Sequence, residues 1–367
     1  MNEQISDRDY GIDLLRLTLM LMVVVLHTLG NGGVLRNLEL TSPNYYIAWF
    51  IECMCYCAVN CYALITGYVS FNRQYKLTSL LMIWVQTIVY TLGISILITI
   101  ITSDPYTISL GYLLRAFLSS QDNSLWYVPA YSGLYILIPA LNCAVKHLDK
   151  NGAKAFLLLS GTAFTFIPTF SMSDPFTLNA GYSTIWLAYL YLLGALIHKF
   201  NIKQIIGTKK AFITYLSCIV LLYASKVLIS IVTHQIWGEA RFDNFLIKYT
   251  SPLMLLAAIG LFLVFVDMDL SVTACKMIKR FSPAAFGVYL IHCQPYFFQL
   301  SRNRFGFLAE KSPVSMFLSV ISISLCIYIG CIAVDMIRIF LFQKLQIKRT
   351  VSNFERKYLS IFSNNES

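Results

Sequence analysis

Charge is what this chain has little of. Asp, Glu, Lys and Arg make up 13% of its 367 residues, where soluble domains carry roughly 25%. Apolar residues reach 57% and the mean hydropathy is +0.65, more than a water-soluble fold could bury. Strict period-two alternation is absent, which excludes a transmembrane barrel. There is no internal repeat and no low-complexity segment. The longest hydrophilic stretch, 343–367, is too short to bury a core of its own. It reads as a helix end and a disordered terminus on the cytoplasmic side. The ten cysteines show no zinc spacing and no disulfide framework. Cys53, Cys55, Cys57 and Cys61 read as small apolar residues at helix contacts. No metal is expected.

Long apolar runs are there instead. A membrane-spanning helix needs ~20 mostly apolar residues, and only helices or closed barrels satisfy their backbones in lipid. About ten runs qualify, some of them short, near 12–28, 47–69, 80–101, 126–144, 156–170, 182–197, 212–232, 252–266, 284–300 and 314–334. The fold class is therefore all-α, a polytopic helical bundle in the cell membrane. The first run is no cleavable signal, since it holds Asp13, Arg16 and His27 and no small-residue cleavage pattern follows. The net charge of +10 is spread over loops, which argues against nucleic acid. With the N-terminus inside, one side collects Arg8, Arg73, Lys76, Lys146, Lys150, Lys154, Lys199, Lys203, Lys209, Lys210, Lys276, Lys279, Arg280 and the basic tail. The other holds only Arg36, Arg115, Arg241, Lys248, Arg302, Arg304 and Lys311. Positive residues favour the cytoplasm, so both termini are placed there. The outside loops near 102–125 and 233–251 are the longest. They mix aromatic and polar residues (Tyr106, Tyr112, Trp237, Phe242, Asn244), which read as interfacial anchors ahead of a sugar platform.

Ionisable groups inside a span need a partner or a task. Arg16 and His27 are eleven positions apart, so they fall within ~20° of one helix face and ~16 Å along the axis. One face thus presents a phosphate binder near the inner mouth and a titratable base far above it. Arg binds phosphate bidentately, and His is the common general base. A phosphate-bearing acyl donor with a long arm, such as acyl-CoA, fits that layout. The alternative weighs equally on these residues alone: an Asp13–Arg16 helix-end pair, a snorkelling Arg16 and a hydrogen-bonded His27.

Further segments carry a resemblance. Leu64-Ile-Thr-Gly67-Tyr68 closes the second span. Arg73-Gln-Tyr-Lys76 follows it. Leu125-Trp126-Tyr127 opens the fourth, which continues Gly133-Leu-Tyr-Ile-Leu-Ile-Pro139, and Gly287-Val-Tyr289-Leu-Ile-His292 lies in the ninth. Together with Arg16 and His27 they resemble the bacterial integral membrane acyltransferases of family three, over 10 to about 342. The resemblance implies a membrane acyltransferase domain over 1–342 and a cytoplasmic tail over 343–367. It implies acyl, most simply acetyl, transfer from cytoplasmic acyl-CoA to a hydroxyl of a cell-envelope polysaccharide or lipid-linked sugar. It gives His27 the catalytic role and Arg16, with Arg73 and Lys76, the donor phosphates. Asp13, Trp126 and His292 enter as substrate-side residues. Ser124 stands where many relatives have His, and Lys76 where they have Arg. No hydrolase-like domain is fused after the spans, which favours direct transfer. Besides lipid and a glycan, a second copy of the chain remains an open partner.

His292 also reads as a helix-packing residue and Trp126 as an interface marker. Lys226 asks for a carboxylate such as Glu52, or a donor group. The rival reading is a transporter or flippase of glycolipid intermediates, for which matching broken helices would be expected.

Overall fold

The computed structural model describes residues 8–102, 124–171 and 173–363. The loop segment beginning Ser103-Asp104-Pro105, with Tyr106, Tyr112 and Arg115, lies outside the described residues. Among those described, helices account for nearly all regular structure and no strand occurs. The helices are α1 (Tyr10–Leu29), α2 (Pro43–Tyr56), α3 (Ala58–Ser70), α4 (Leu77–Thr102), α5 (Tyr127–His147) and α6 (Lys150–Phe170, with a π-helical turn at Thr162–Phe166). They continue with α7 (Thr184–Lys199), α8 (Ile202–Trp237), α9 (Pro252–Phe265), α10 (Val272–Phe281), α11 (Ala285–His292), α12 (Pro295–Ser301), α13 (Pro313–Lys344) and α14 (Ile347–Ser363).

Among the described residues, seven helical segments are long and apolar enough to cross a membrane: α1, the α2–α3 pair as one unit, α4, α5, α6, α8 and α13. The remaining three expected spans are shorter. At 1.5 Å per residue, the 16 residues of α7 and the 14 of α9 reach only about 24 and 21 Å, against a hydrocarbon core of ~30 Å. The run at 284–300 is broken at Cys293-Gln294 into α11 and α12, with the Gln294 side chain accepting from the amides of Tyr296 and Phe297. Proline at 295 supplies no backbone donor, so a new helix starts there. The tail also differs from expectation, because Ile347–Ser363 is helical.

α1 is the central helix, packed against α2, α3, α9, α10, α11 and α13. Asp9 caps it, accepting from the Ile12 amide at 3.1 Å and the Asp267 amide at 3.1 Å. Its other end closes at Gly30, whose amide reaches Leu26 O at 2.7 Å. α3 and α7 approach backbone to backbone through two glycines. A Cβ on Gly67 would run into the Tyr191 carbonyl oxygen, and one on Gly194 into that of Leu64. Small residues permit such contacts where lipid supplies no hydrophobic drive between helices. On the outside of the bundle, Ile100, Ile101, Leu158, Leu159 and Ile337 are exposed, as lipid-facing residues should be.

Hydrogen bonds define two ends. At one, Asn31 donates to Phe298 O, Asn303 N to Asn31 O, and Asn44 to Ala309 O and Lys311 O. At the other, Arg8 donates to Ser282, Lys199 to the carbonyls of Val145, Lys146 and Leu148, and Lys203 to Leu263 O. The cysteines are all free, and Cys53, Cys57 and Cys61 are fully buried.

Candidate active site

A cavity of about 710 Å³ runs through the bundle beside α1, within the range of small-molecule sites. Its wall includes Arg16 and Ser282 toward the Arg8 end and His27, Gly30 and Asn31 toward the other. The eleven-residue spacing thus does place Arg16 and His27 on one helix face, and both face one space.

Arg16 is held from behind. Its Nη1 donates to Asp13 Oδ1 at 2.6 Å, and Arg8 Nε donates to Asp13 Oδ2 at 2.5 Å. Asp13 is 4% exposed and absent from the cavity wall. Its two cationic partners satisfy the buried charge and fix the Arg16 side chain, which stays about one third exposed. The helix-end pair and the cavity-facing guanidinium are therefore one arrangement, not alternatives. Tyr62 adds a hydroxyl bond to the Arg16 carbonyl at 2.6 Å.

His27 meets His292 at the opposite end. The two are far apart in sequence and come together because α11 packs on α1. His292 Nδ1 lies 2.6 Å from Val288 O. A carbonyl only accepts, so Nδ1 carries the proton and, in the neutral ring, Nε2 is a lone pair. That lone pair lies 3.0 Å from His27 Nδ1, which must then donate. The tautomers follow from these partners: His27 keeps its basic lone pair on Nε2. Phe298 packs edge-on against the His27 ring at 5.3 Å. Cys293 Sγ sits 3.5 Å from His27 Nδ1 and 3.3 Å from His292 Nε2. These three side chains are close enough together to hold a metal ion, but the ring-to-ring hydrogen bond already uses both facing nitrogens. His27 and His292 also border a second, apolar cavity of about 460 Å³, between α12 and α13.

Trp126 is on the wall of the larger cavity, with its ring 4.5 Å from Tyr182 and 6.4 Å from Tyr249. Arg73 and Lys76 are exposed in the α3–α4 connection and are not on that wall. Tyr289, of the Tyr-Leu-Ile-His segment, accepts from the Tyr127 amide at 3.2 Å and donates to Ser124 O at 3.3 Å. It thereby fixes the start of α5 beside the cavity.

Lys226 does not form the suggested pair with Glu52. Its ammonium bonds Asp243 at 2.6 Å and Asn244 at 3.0 Å and lies 3.6 Å from the Trp49 ring centroid. The carboxylate comes from the 238–251 connection, which folds back over α8, a return that spacing along the chain does not reveal. Glu52 itself lines the cavity. From the sequence Glu52 reads only as a counter-ion for Lys226; an acidic residue in an apolar run is the signal that marks it.

No curated protein and no solved structure matches the chain. The family model described as an acyltransferase domain matches residues 9–336, the stretch that contains Arg16, His27, Trp126 and His292. With that match over nearly the whole chain and apolar helices enough for repeated crossings, the protein is a multi-pass membrane acyltransferase and belongs to acyltransferase family 3.

Proposed function

We propose that the protein transfers an acyl group, most simply acetyl, from cytoplasmic acyl-CoA to a hydroxyl of a cell-envelope polysaccharide or lipid-linked sugar. The observation that carries this reading is the shared cavity of Arg16 and His27, with His27 Nδ1 tied to His292.

The bundle sits in the cell membrane with its Arg8 end, where most of the basic residues gather, facing the cytoplasm. The short α7 and α9 and the broken α11–α12 complete the ten-segment arrangement. Non-helical backbone at membrane depth is tolerated where it lines a cavity. The donor enters at the Arg16 end, where the guanidinium takes a phosphate oxygen. Arg73 and Lys76 lie at the cytoplasmic surface to attract the nucleotide part. The pantetheine arm lies along α1 and brings the thioester toward His27.

His27 Nε2 then removes the proton of the acceptor hydroxyl as its oxygen attacks the thioester carbonyl. The tetrahedral intermediate collapses with cleavage of the C–S bond. The CoA thiolate leaves and takes up the proton from His27. His292 holds His27 in the required tautomer and spreads part of the positive charge that His27 acquires. General-base catalysis of this kind contributes about 10²–10⁴-fold.

The α11–α12 break is a feature that transporters share, and it is the observation that favours a glycolipid transporter as the second reading. Turnover of an acyl-CoA thioester by the purified protein in lipid separates the two. Consumption by wild type and not by His27→Ala supports transfer; equal consumption, or none, sinks it.

A further inference from the structure

Glu52 lines the cavity, is 7% exposed and, among the described residues, leaves its Oε2 without a hydrogen-bond partner. The buried ammonium of Lys226 is already committed to Asp243. A buried polar atom left unpaired is costly, and native proteins leave few without a reason.

Aromatic rings cluster on the same cavity wall. Tyr56 and Tyr249 have centroids 4.8 Å apart, Tyr249 and Tyr182 5.1 Å, Tyr182 and Trp126 4.5 Å, and all four line the cavity. The group lies deep. Tyr249 O accepts from Asn60 at 2.9 Å, and Asn60 lies ten residues, about 15 Å, before the end of the Pro43–Ser70 segment. Tyr182 and Tyr249 immediately precede the short helices α7 and α9. Both helices end at the Arg8 side, through Lys199 and Leu263, so Tyr182 and Tyr249 line the cavity toward the end opposite Arg16.

The chemistry selects a ligand class. An acyl chain would use the aromatic faces and leave the Glu52 carboxyl unpaired. A quaternary ammonium would suit the faces and the carboxyl but carries no hydroxyl to be acylated. A pyranose offers C–H faces to the rings and hydroxyls to Glu52. We propose that Glu52, flanked by Trp126, Tyr182 and Tyr249, is the acceptor subsite and binds a pyranose ring through hydroxyl hydrogen bonds. This rests on the acyl-transfer reading of the cavity and adds to it which residue selects the acceptor.

The test is saturation-transfer NMR on the full chain in lipid nanodiscs, with no thioester present. The probes are methyl α-glucopyranoside, methyl N-acetyl-β-glucosaminide, methyl α-rhamnopyranoside and tetramethylammonium. Saturation of the ring protons of at least one pyranoside is expected with wild type. Glu52→Leu should weaken that binding by about tenfold or more, and the near-isosteric Glu52→Gln by less. Thermal unfolding identifies which variant is folded, and Glu52→Gln decides if Glu52→Leu is not. The proposal is overturned if wild type saturates no pyranoside, if a folded Glu52 variant binds as wild type does, or if tetramethylammonium takes their place. A wild type that binds a pyranoside yet consumes no acyl-CoA would overturn the transfer reading and leave this subsite standing.

Discussion

His27 and His292 are joined ring to ring, Nδ1 to Nε2, at 3.0 Å, and the Val288 carbonyl at 2.6 Å from His292 Nδ1 sets the direction of both bonds. A single backbone oxygen on α11 thereby decides which nitrogen of an α1 side chain is basic.

Removal of the base should abolish transfer without abolishing donor binding. His27→Ala is expected to lower kcat by about 10²–10⁴-fold with the acyl-CoA Kd unchanged, measured by thioester turnover and by equilibrium binding. Normal turnover in that variant would refute the role.

His292 acts through His27, so its variants should behave differently. His292→Ala is expected to cost about tenfold or more in kcat, short of the His27→Ala loss, with donor and acceptor KM little changed. A residue that only packs α11 would lower thermal stability and leave kcat per folded molecule unchanged. His292→Gln, whose amide can restore one acceptor, should recover part of the loss.

Arg16 is expected to govern the donor. Arg16→Ala removes a charge-assisted contact worth about 1.5–3 kcal/mol, so the acyl-CoA Kd should rise by about 10–100-fold while acceptor KM stays. Arg16→Lys should recover little, because Lys offers no planar fork. Unchanged donor affinity in Arg16→Ala would assign the guanidinium to the Asp13 cluster alone.

The glycine pair at the α3–α7 crossing should be intolerant of side chains. A Cβ at Gly67 or Gly194 meets backbone oxygen, which cannot rotate away. Gly67→Ala and Gly194→Ala are each expected to destabilise by about 1–3 kcal/mol, read as lower unfolding midpoints in lipid. No shift would mean that the two helices separate easily.

Glu355 on α14 caps the start of α4, accepting from the Leu77 amide at 2.7 Å, the Thr78 amide at 3.1 Å and the Thr78 hydroxyl. Burial raises its pKa, but those bonds and the nearby Lys76 outweigh that and hold the carboxyl below its ordinary 4.5. A lowered carboxylate pKa stabilises the fold above the unfolded value and loses its effect as pH falls through the folded one. The unfolding midpoint of wild type should therefore exceed that of Glu355→Ala at pH 7. The difference should vanish as pH drops below the carboxylate range; a gap that persists in acid would contradict the cap.

By itself the sequence determined the solvent, the helical class and the pairing of Arg16 with His27. Apolar runs have no other use than lipid, and a period of 3.6 residues fixes which side chains share a face. It also carried enough ordered segments for the family resemblance that the match over 9–336 bears out. Tertiary structure decided the rest, because each remaining feature joins residues distant along the chain. Asp243 reaches Lys226 from a folded-back connection, and the meeting of His27 with His292 needs α11 against α1. Composition could not tell three short segments from full spans, since hydropathy reads apolarity and not where a helix begins. Glu52, whose Oε2 has no hydrogen-bond partner among the described residues, is the plainest case: an acid in an apolar run asks for a partner, and only the packed bundle shows a cavity beside it.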